Sequence, residues 1–184
     1  MKKLTLLALF GMLWSSNPAF AAIANLGLLV GANRTTYSFG GNSPVGYGAT
    51  GGLLASFLSS WPVGVRFSIF ENYLNAKDGA VKVSGSAPLV AATIDANYSI
   101  PSVRASLGVG MGIEDQHGLS CEGSPSCPAF ATSVDGLVLE AKFDAKDKFF
   151  GVAQYFFPLG ESRRKLEMGQ VIIGIGYQFG ELVK

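Results

Sequence analysis

Residues 170–179 (QVIIGIGYQF) restrict the fold of this chain more than any other stretch. Taken alternately, they fall into two sets. Val171, Ile173, Ile175, Tyr177 and Phe179 are all apolar or aromatic; Gln170, Gly174, Gly176 and Gln178 are small or polar, with Ile172 among them. A β-strand sends successive side chains to opposite faces, so one face here is wholly apolar and the other is lean. Such a strand suits a wall with lipid on one side and a tight, wet interior on the other. Two aromatics close the apolar face at its C-terminal end, and Gly174 and Gly176 are expected to open space inside.

The same alternation recurs along the chain. Leu26, Leu28, Val30 and Ala32 oppose Asn25, Gly27, Gly31 and Asn33; Tyr47, Ala49, Leu53, Ala55 and Phe57 oppose Gly48, Thr50, Gly52 and Ser56. Val65, Phe67 and Ile69 oppose Arg66 and Ser68, and Val90, Ala92, Ile94, Ala96 and Tyr98 oppose Thr93, Asp95, Asn97 and Ser99. The cleanest case sets Ala105, Leu107, Val109, Met111 and Ile113 against Arg104, Ser106, Gly108, Gly110 and Gly112. Residues 132–143 and 149–157 are less regular. Counting these stretches predicts eight antiparallel strands of roughly the 9–11 residues that cross a membrane when tilted. Connections at 58–64, 100–102 and 144–148 are short. Those at 38–46, 72–88, 114–130 and 158–167 are long and rich in Gly, Ser, Pro and charge. Short periplasmic turns and longer outside loops would alternate in this way.

The N-terminus fits export. Lys2 and Lys3 precede an apolar run too short to span a bilayer, Pro18 follows, and Ala19-Phe20-Ala21 matches an A-x-A cleavage site. Residues 1–21 read as a cleaved signal peptide and residues 22–184 as a single barrel domain. With Lys2 and Lys3 gone, 12 of the 14 basic residues remain against 13 acidic ones. That balance offers neither a nucleic-acid surface nor an acidic tail.

A soluble barrel of eight strands also alternates, but its apolar face points inward. The polar faces here carry glycine, serine, threonine and asparagine with isolated charges, and charged residues total 15%, against about 25% in soluble proteins. A water-facing surface would carry far more Lys and Glu, whereas a narrow lumen wants small residues. Aromatics gather near the strand ends: Phe57, Trp61, Tyr98, Tyr177 and Phe179 toward one rim, Tyr37, Phe39, Tyr47, Phe70, Tyr73 and Phe157 toward the other. They are expected to form two girdles at the lipid boundaries.

On this pattern, and on Gly174-Ile175-Gly176-Tyr177-Gln178-Phe179 in particular, the chain resembles the small bacterial outer-membrane β-barrels of the OmpA/OmpX type. The resemblance implies a transmembrane antiparallel up-and-down β-barrel. It further implies that Gly174, Tyr177 and Phe179 act as an assembly signal read by the barrel-assembly machinery. Two departures stand out: Ile172 occupies a position that is usually polar, and residues 180–184 extend past the aromatic that usually ends the chain.

Arg66, Asp95, Arg104, Glu140 and Lys142 all fall on inward faces. A buried charge is costly unless paired, and both signs are at hand on neighbouring strands, so an ion-pair cluster plugging the lumen is expected ahead of a conducting gate. Cys121 and Cys127 lie in the third long connection and, in an exported chain, are expected to form a disulfide. His117, with Ser120 or Glu114 nearby in sequence, would be needed for a lipid hydrolase. Nothing in the pattern assembles a nucleophile, base and orienting acid, so a solvated His117 is expected. Arg163, Arg164 and Lys165 form a short basic run that either contacts lipopolysaccharide phosphates or is a solvated loop tip.

These features point to a monomeric barrel in the bacterial outer membrane, in contact with lipid and lipopolysaccharide. Its role would be structural or interactive, with loops displayed to an extracellular partner. A narrow pore is the second reading and a lipid-modifying enzyme the third. No catalytic, cofactor or metal residues are assigned.

Overall fold

A computed structural model of the chain describes residues 24–57, 62–100, 103–128, 130, 133–145, 148–159 and 167–181. Residues 1–21, expected as a signal peptide, Trp61 and the basic run 163–165 lie outside the described residues. Nine strands are present among the described residues: β1 (Ala24–Ser38), β2 (Val45–Phe57), β3 (Val63–Asp78), β4 (Val81–Ile100), β5 (Val103–Asp115), β6 (Leu119–Glu122), β7 (Ser133–Asp144), β8 (Phe149–Pro158) and β9 (Glu167–Glu181). Eight of them form a closed ring. Each pairs antiparallel with its sequence neighbour, β5 pairs with β7, and β1 pairs with β9 to close the sheet. The ninth, β6, is a short strand lying outside the ring against the outer part of β4.

The register fixes the shape. From Gly31, the ladders run through Gly174, Val152, Lys142 and Ser106 to Asn97 on β4. In the other direction they run through Thr50 and Asn72 to Ala87 on β4. The two arrivals are ten residues apart (97 against 87), a stagger that closes an eight-stranded barrel only if the strands tilt by roughly 35–45°.

The barrel is inside-out relative to a soluble domain. Ile175 is 69% exposed, Leu107 67%, Val30 66% and Ile94 62%, and they belong to an apolar belt that runs round the outside. On β5 the belt ends at Ile113, since Asp115 is the next outward residue. A continuous exposed apolar ring on this scale is a surface for lipid, not water. At the end where β1 begins and β9 ends, here the terminal end, Tyr98, Phe143, Phe149, Tyr177 and Phe179 are exposed on the outside. Phe149 and Phe179 flank Tyr177 edge-on, with ring centroids 5.4 and 5.8 Å away.

The opposite, loop-end girdle differs from the sequence expectation. Tyr47 and Tyr73 do face out, but Tyr37, Phe39 and Phe70 are buried inside. An aromatic near a strand end can point either way, and the parity of Tyr37, Phe39 and Phe70 with inward Leu29, Asn33 and Asn72 places them in the lumen. The stretch 72–88, expected as a loop, is ladder almost throughout: β3 and β4 continue to Asp78↔Val81 and turn through Gly79-Ala80. Gly79 has φ 58°, as the first central residue of a two-residue hairpin turn requires.

The interior also departs from a wet, small-residue lumen. Leu29, Leu54, Phe70, Leu89, Val138, Phe156 and Ile172 are buried and form a dry layer across the middle. The inward glycines are sockets for these and other large side chains. A Cβ on Gly174 would lie 2.7 Å from Leu29 Cδ2, one on Gly27 would lie 2.6 Å from Phe150 Cε1, and Gly176 and Gly136 face the rings of Phe150 and Phe156. Gly174 and Gly176 do make room, but leucine and phenylalanine fill it.

Candidate functional site

The dry layer divides the lumen into two polar regions. In the terminal-end region, Arg66 on β3 is the hub. Its Nη2 lies 2.9 Å from Asp95 Oδ2 on β4 and its Nη1 pairs with Glu140 Oε1 on β7. Nη2 also donates to Ser106 Oγ at 2.6 Å and Nε to Ser56 Oγ at 3.2 Å, while Thr93 Oγ1 donates to Asp95 Oδ1 at 2.9 Å. The guanidinium therefore ties together β2, β3, β4, β5 and β7. It is 3% exposed, as is Asp95; at such burial, charges persist only when paired and hydrogen-bonded. The planar five-donor head of arginine suits this many-partner role in a way that an ammonium does not.

Lys142 forms a second centre one step nearer the terminal rim. Its Nζ pairs with Asp144 and sits 5.0 Å above the Phe150 ring. Asp144 Oδ1 also accepts a hydrogen bond from Gln178 Nε2 on β9 at 2.7 Å. Close approach of Asp95 to β5 depends on Gly108, whose position leaves no space for a Cβ beside Asp95 Oδ1.

Arg66, Asp95, Glu140 and Lys142 are thus brought together inside the barrel. Arg104 is not: it is exposed at the terminal rim, where its ladder partners are Ser99 and Asp144. Its alternation parity is inward, but at the first turns of a strand the lumen has already opened to solvent. Sequence reasoning missed Asp144, Gln178, Ser56 and Ser106 as partners. Asp144 shares the parity of Glu140 and Lys142, which marks it as inward although it stands at the start of the short connection 144–148.

Among the described residues the loop-end region is polar but carries almost no charge. Thr50 Oγ1 donates to Asn72 Oδ1, Asn72 Nδ2 to Gln170 Oε1 at 3.4 Å, and Gln170 Nε2 to Thr35 Oγ1 at 3.3 Å, a chain running across β2, β3, β9 and β1. Asn33 Nδ2 donates to the Ala49 and Tyr73 carbonyls at 2.9 and 3.1 Å. Above this chain the third long connection folds into a roof. β6 runs back along β4, and the segment turns at Gly123 against Ala80, at the tip of the β3–β4 hairpin. Ser126 then packs on Gly40, in the turn between β1 and β2, and Phe130 descends to meet Tyr37 edge-on at 5.7 Å. Cys121 and Cys127 form a disulfide within this roof. Phe39, Leu74, Ala76, Val81, Val83, Leu119 and Phe130 are buried at this end and belong to the same apolar cluster as the dry layer.

The residues that a hydrolase would need are scattered. Glu114 is buried in the lumen, His117 is exposed and paired through Nδ1 with Asp115, and the Ser120 hydroxyl donates to the Ser84 carbonyl. At the closing strand, Gly174 faces inward against Leu29, while Tyr177 and Phe179 face outward as a ring pair.

No protein-family model matches the chain and no curated protein matches it by sequence. Among solved structures it is similar to Neisserial surface protein A, at 13% identity and a TM-score of 0.57, covering 85% of this chain and 99% of that one. It also matches the attachment invasion locus protein Ail of Yersinia pestis (15% identity, TM-score 0.48, 85% and 99% covered) and the outer membrane protein OprG of Pseudomonas aeruginosa (13%, 0.45, 89% and 99%). At these identities the likeness is one of fold: the chain has the fold of a small outer-membrane β-barrel.

Proposed function

We propose that this protein is an integral outer-membrane barrel with a structural and surface-interaction role, its lumen closed and its roofed end displayed outside the cell. The observation that carries this reading is the continuity of packing along the barrel axis. An ion-pair cluster at the terminal end is followed by a dry layer of leucine, isoleucine, valine and phenylalanine and then by a stapled roof. An eight-stranded barrel is just wide enough for its own side chains to fill, which supports a plug rather than a path. In this reading the termini lie on the periplasmic side, Tyr177 and Phe179 serve assembly, and the barrel works as a monomer. The outer rim meets lipopolysaccharide, and the basic residues Arg163, Arg164 and Lys165 suit its phosphates. A head held by a disulfide and by apolar packing continuous with the dry layer presents a fixed surface to an extracellular partner, with no catalysis involved.

The test is conductance. Purified mature protein reconstituted singly into planar bilayers is expected to pass no current above the bare membrane. Stepwise currents that respond to Arg66→Met would replace the plug with the narrow-pore reading.

A further inference from the structure

The roof has two legs, and both stand beside one buried carboxyl. Glu114 is the last inward residue of β5, one position beyond the end of the lipid-facing belt at Ile113. It is 0% exposed. Its Oε1 accepts a hydrogen bond from Gln116 Nε2 at 3.2 Å, and Gln116 begins the first leg. Among the described residues its Oε2 is buried with no hydrogen-bond partner, and so is the hydroxyl of Tyr37, a fully buried side chain within electrostatic reach of Glu114. Tyr37 in turn carries Phe130, which ends the second leg.

Among the described residues no cation lies against Glu114. The elements packed round it present Leu89 from β4 and Val134 from β7 at its ladder positions, Tyr37 from β1, and Gln116 and Phe130 from the roof. Among the described residues, Tyr37 is the only titratable group facing it; Asp115 and His117 pair with one another on the outside. A carboxylate in such surroundings has a strong reason to be neutral, because burial penalises its charge and no opposite charge offsets that. A neutral carboxyl also has a proton to donate, and Tyr37 offers a buried oxygen without a partner.

We propose that Glu114 is a proton-operated latch: its neutral carboxyl holds the roof shut over the loop end of the lumen, and losing that proton loosens both legs. Ionisation strands a bare charge between the two legs, and the available remedy is water, which enters only if the roof lifts. The direction follows from linkage. Burial pushes the Glu114 carboxyl up to about 7 in the closed barrel, with the Gln116 hydrogen bond opposing it; an opened, hydrated Glu114 returns toward 4.5. The closed state therefore binds the proton more tightly. Closure is fully favoured below about pH 4.5, weakens as pH rises to about 7, and levels off above that.

The test uses the oxidised mature chain in lipid nanodiscs. Amide-exchange protection of residues 117–128, corrected for intrinsic exchange, is measured at about pH 5 and about pH 8.5. Wild-type roof protection is expected to fall at least about tenfold between them, while amides of the dry layer on β3 and β4 hold. Glu114→Gln, neutral at every pH, should keep the roof protected at both. The Glu114 carboxyl resonance, followed in the wild type, reads the titration directly and keeps the idea testable if the variant fails to refold. Three outcomes would each overturn it: a carboxylate already ionised at about pH 5, wild-type protection that ignores pH, or the same pH response in Glu114→Gln, which would hand the effect to His117.

Discussion

The two polar regions of the lumen are held by different physics. At the terminal end, Asp95 on β4 and Glu140 on β7 are locked round the Arg66 guanidinium of β3, Lys142 pairs with Asp144 beside them, and the strands themselves supply these partners. At the loop end, neutral amides and hydroxyls form a hydrogen-bonded chain, and the region is closed from above by a segment that must fold back across the mouth. The first is a property of the ladder register; the second depends on contacts between residues far apart along the chain, such as Ser126 with Gly40 and Phe130 with Tyr37. A region fixed by register cannot loosen without unzipping strands. A region fixed by a folded-over connection can open while the barrel stays intact.

The largest effect expected from this contrast is at Arg66. Arg66→Met leaves Asp95 and Glu140 buried without their cation, and breaking a buried pair from one side costs about 3–5 kcal/mol. Denaturant unfolding in micelles measures it. Adding Asp95→Leu and Glu140→Met should recover most of that loss, because an apolar filling of similar volume often replaces a buried ion cluster at little net cost. Recovery would mark the cluster as a packing device; a triple variant as unstable as the single one would mean that the charges do something that apolar filling cannot.

A smaller loss is expected from the roof. Cys121→Ser with Cys127→Ser removes a cross-link closing a short loop, worth about 2 kcal/mol in the chain-entropy model. Because the staple lies beyond the barrel wall, the loss should appear as faster amide exchange in residues 119–128 and leave the strands round Arg66 protected. Exchange rising equally at both ends would break the contrast.

The terminal-end region was legible in the sequence and the loop end was not, for one physical reason. Period-two alternation reports which face a side chain occupies, and Arg66, Asp95, Glu140 and Lys142 needed only that to meet. The same rule gives the lipid face of the regularly alternating strands. It is silent on what fills a face. Glycines opposite one another read as open space, whereas the structure seats Leu29 and Phe150 in those sockets. Alternation also stops where turn residues begin, so Asn72, Ser84, Ser86 and Pro88 looked like a loop even though the ladder carries on through them. The roof follows no local period at all. Its one visible sign was the cysteine pair, which shows that the connection is stapled but not that it lies across the mouth.

The smallest effect is the most discriminating. If the dry layer separates two independently held regions, the Arg66→Met and double-cysteine losses should add. Sites farther apart than roughly 7–10 Å with no shared partner couple by no more than about 0.5 kcal/mol. Phe70, Leu89, Val138, Phe156 and Ile172 lie between these two sites and carry no hydrogen bonds through which one polar network could reach the other. A double-mutant cycle on unfolding free energy measures the coupling. A value near zero would show that the terminal end can stay locked while the roof moves. A coupling above about 1 kcal/mol would need a mechanical route through the packed layer, and Phe156 is its natural carrier, being inward on β8 between Gln154 beside the cluster and Pro158 beneath the roof. Repeating the cycle with Phe156→Leu would then separate the cases: coupling that falls with the smaller side chain travels through the layer, and coupling that persists travels through the strands.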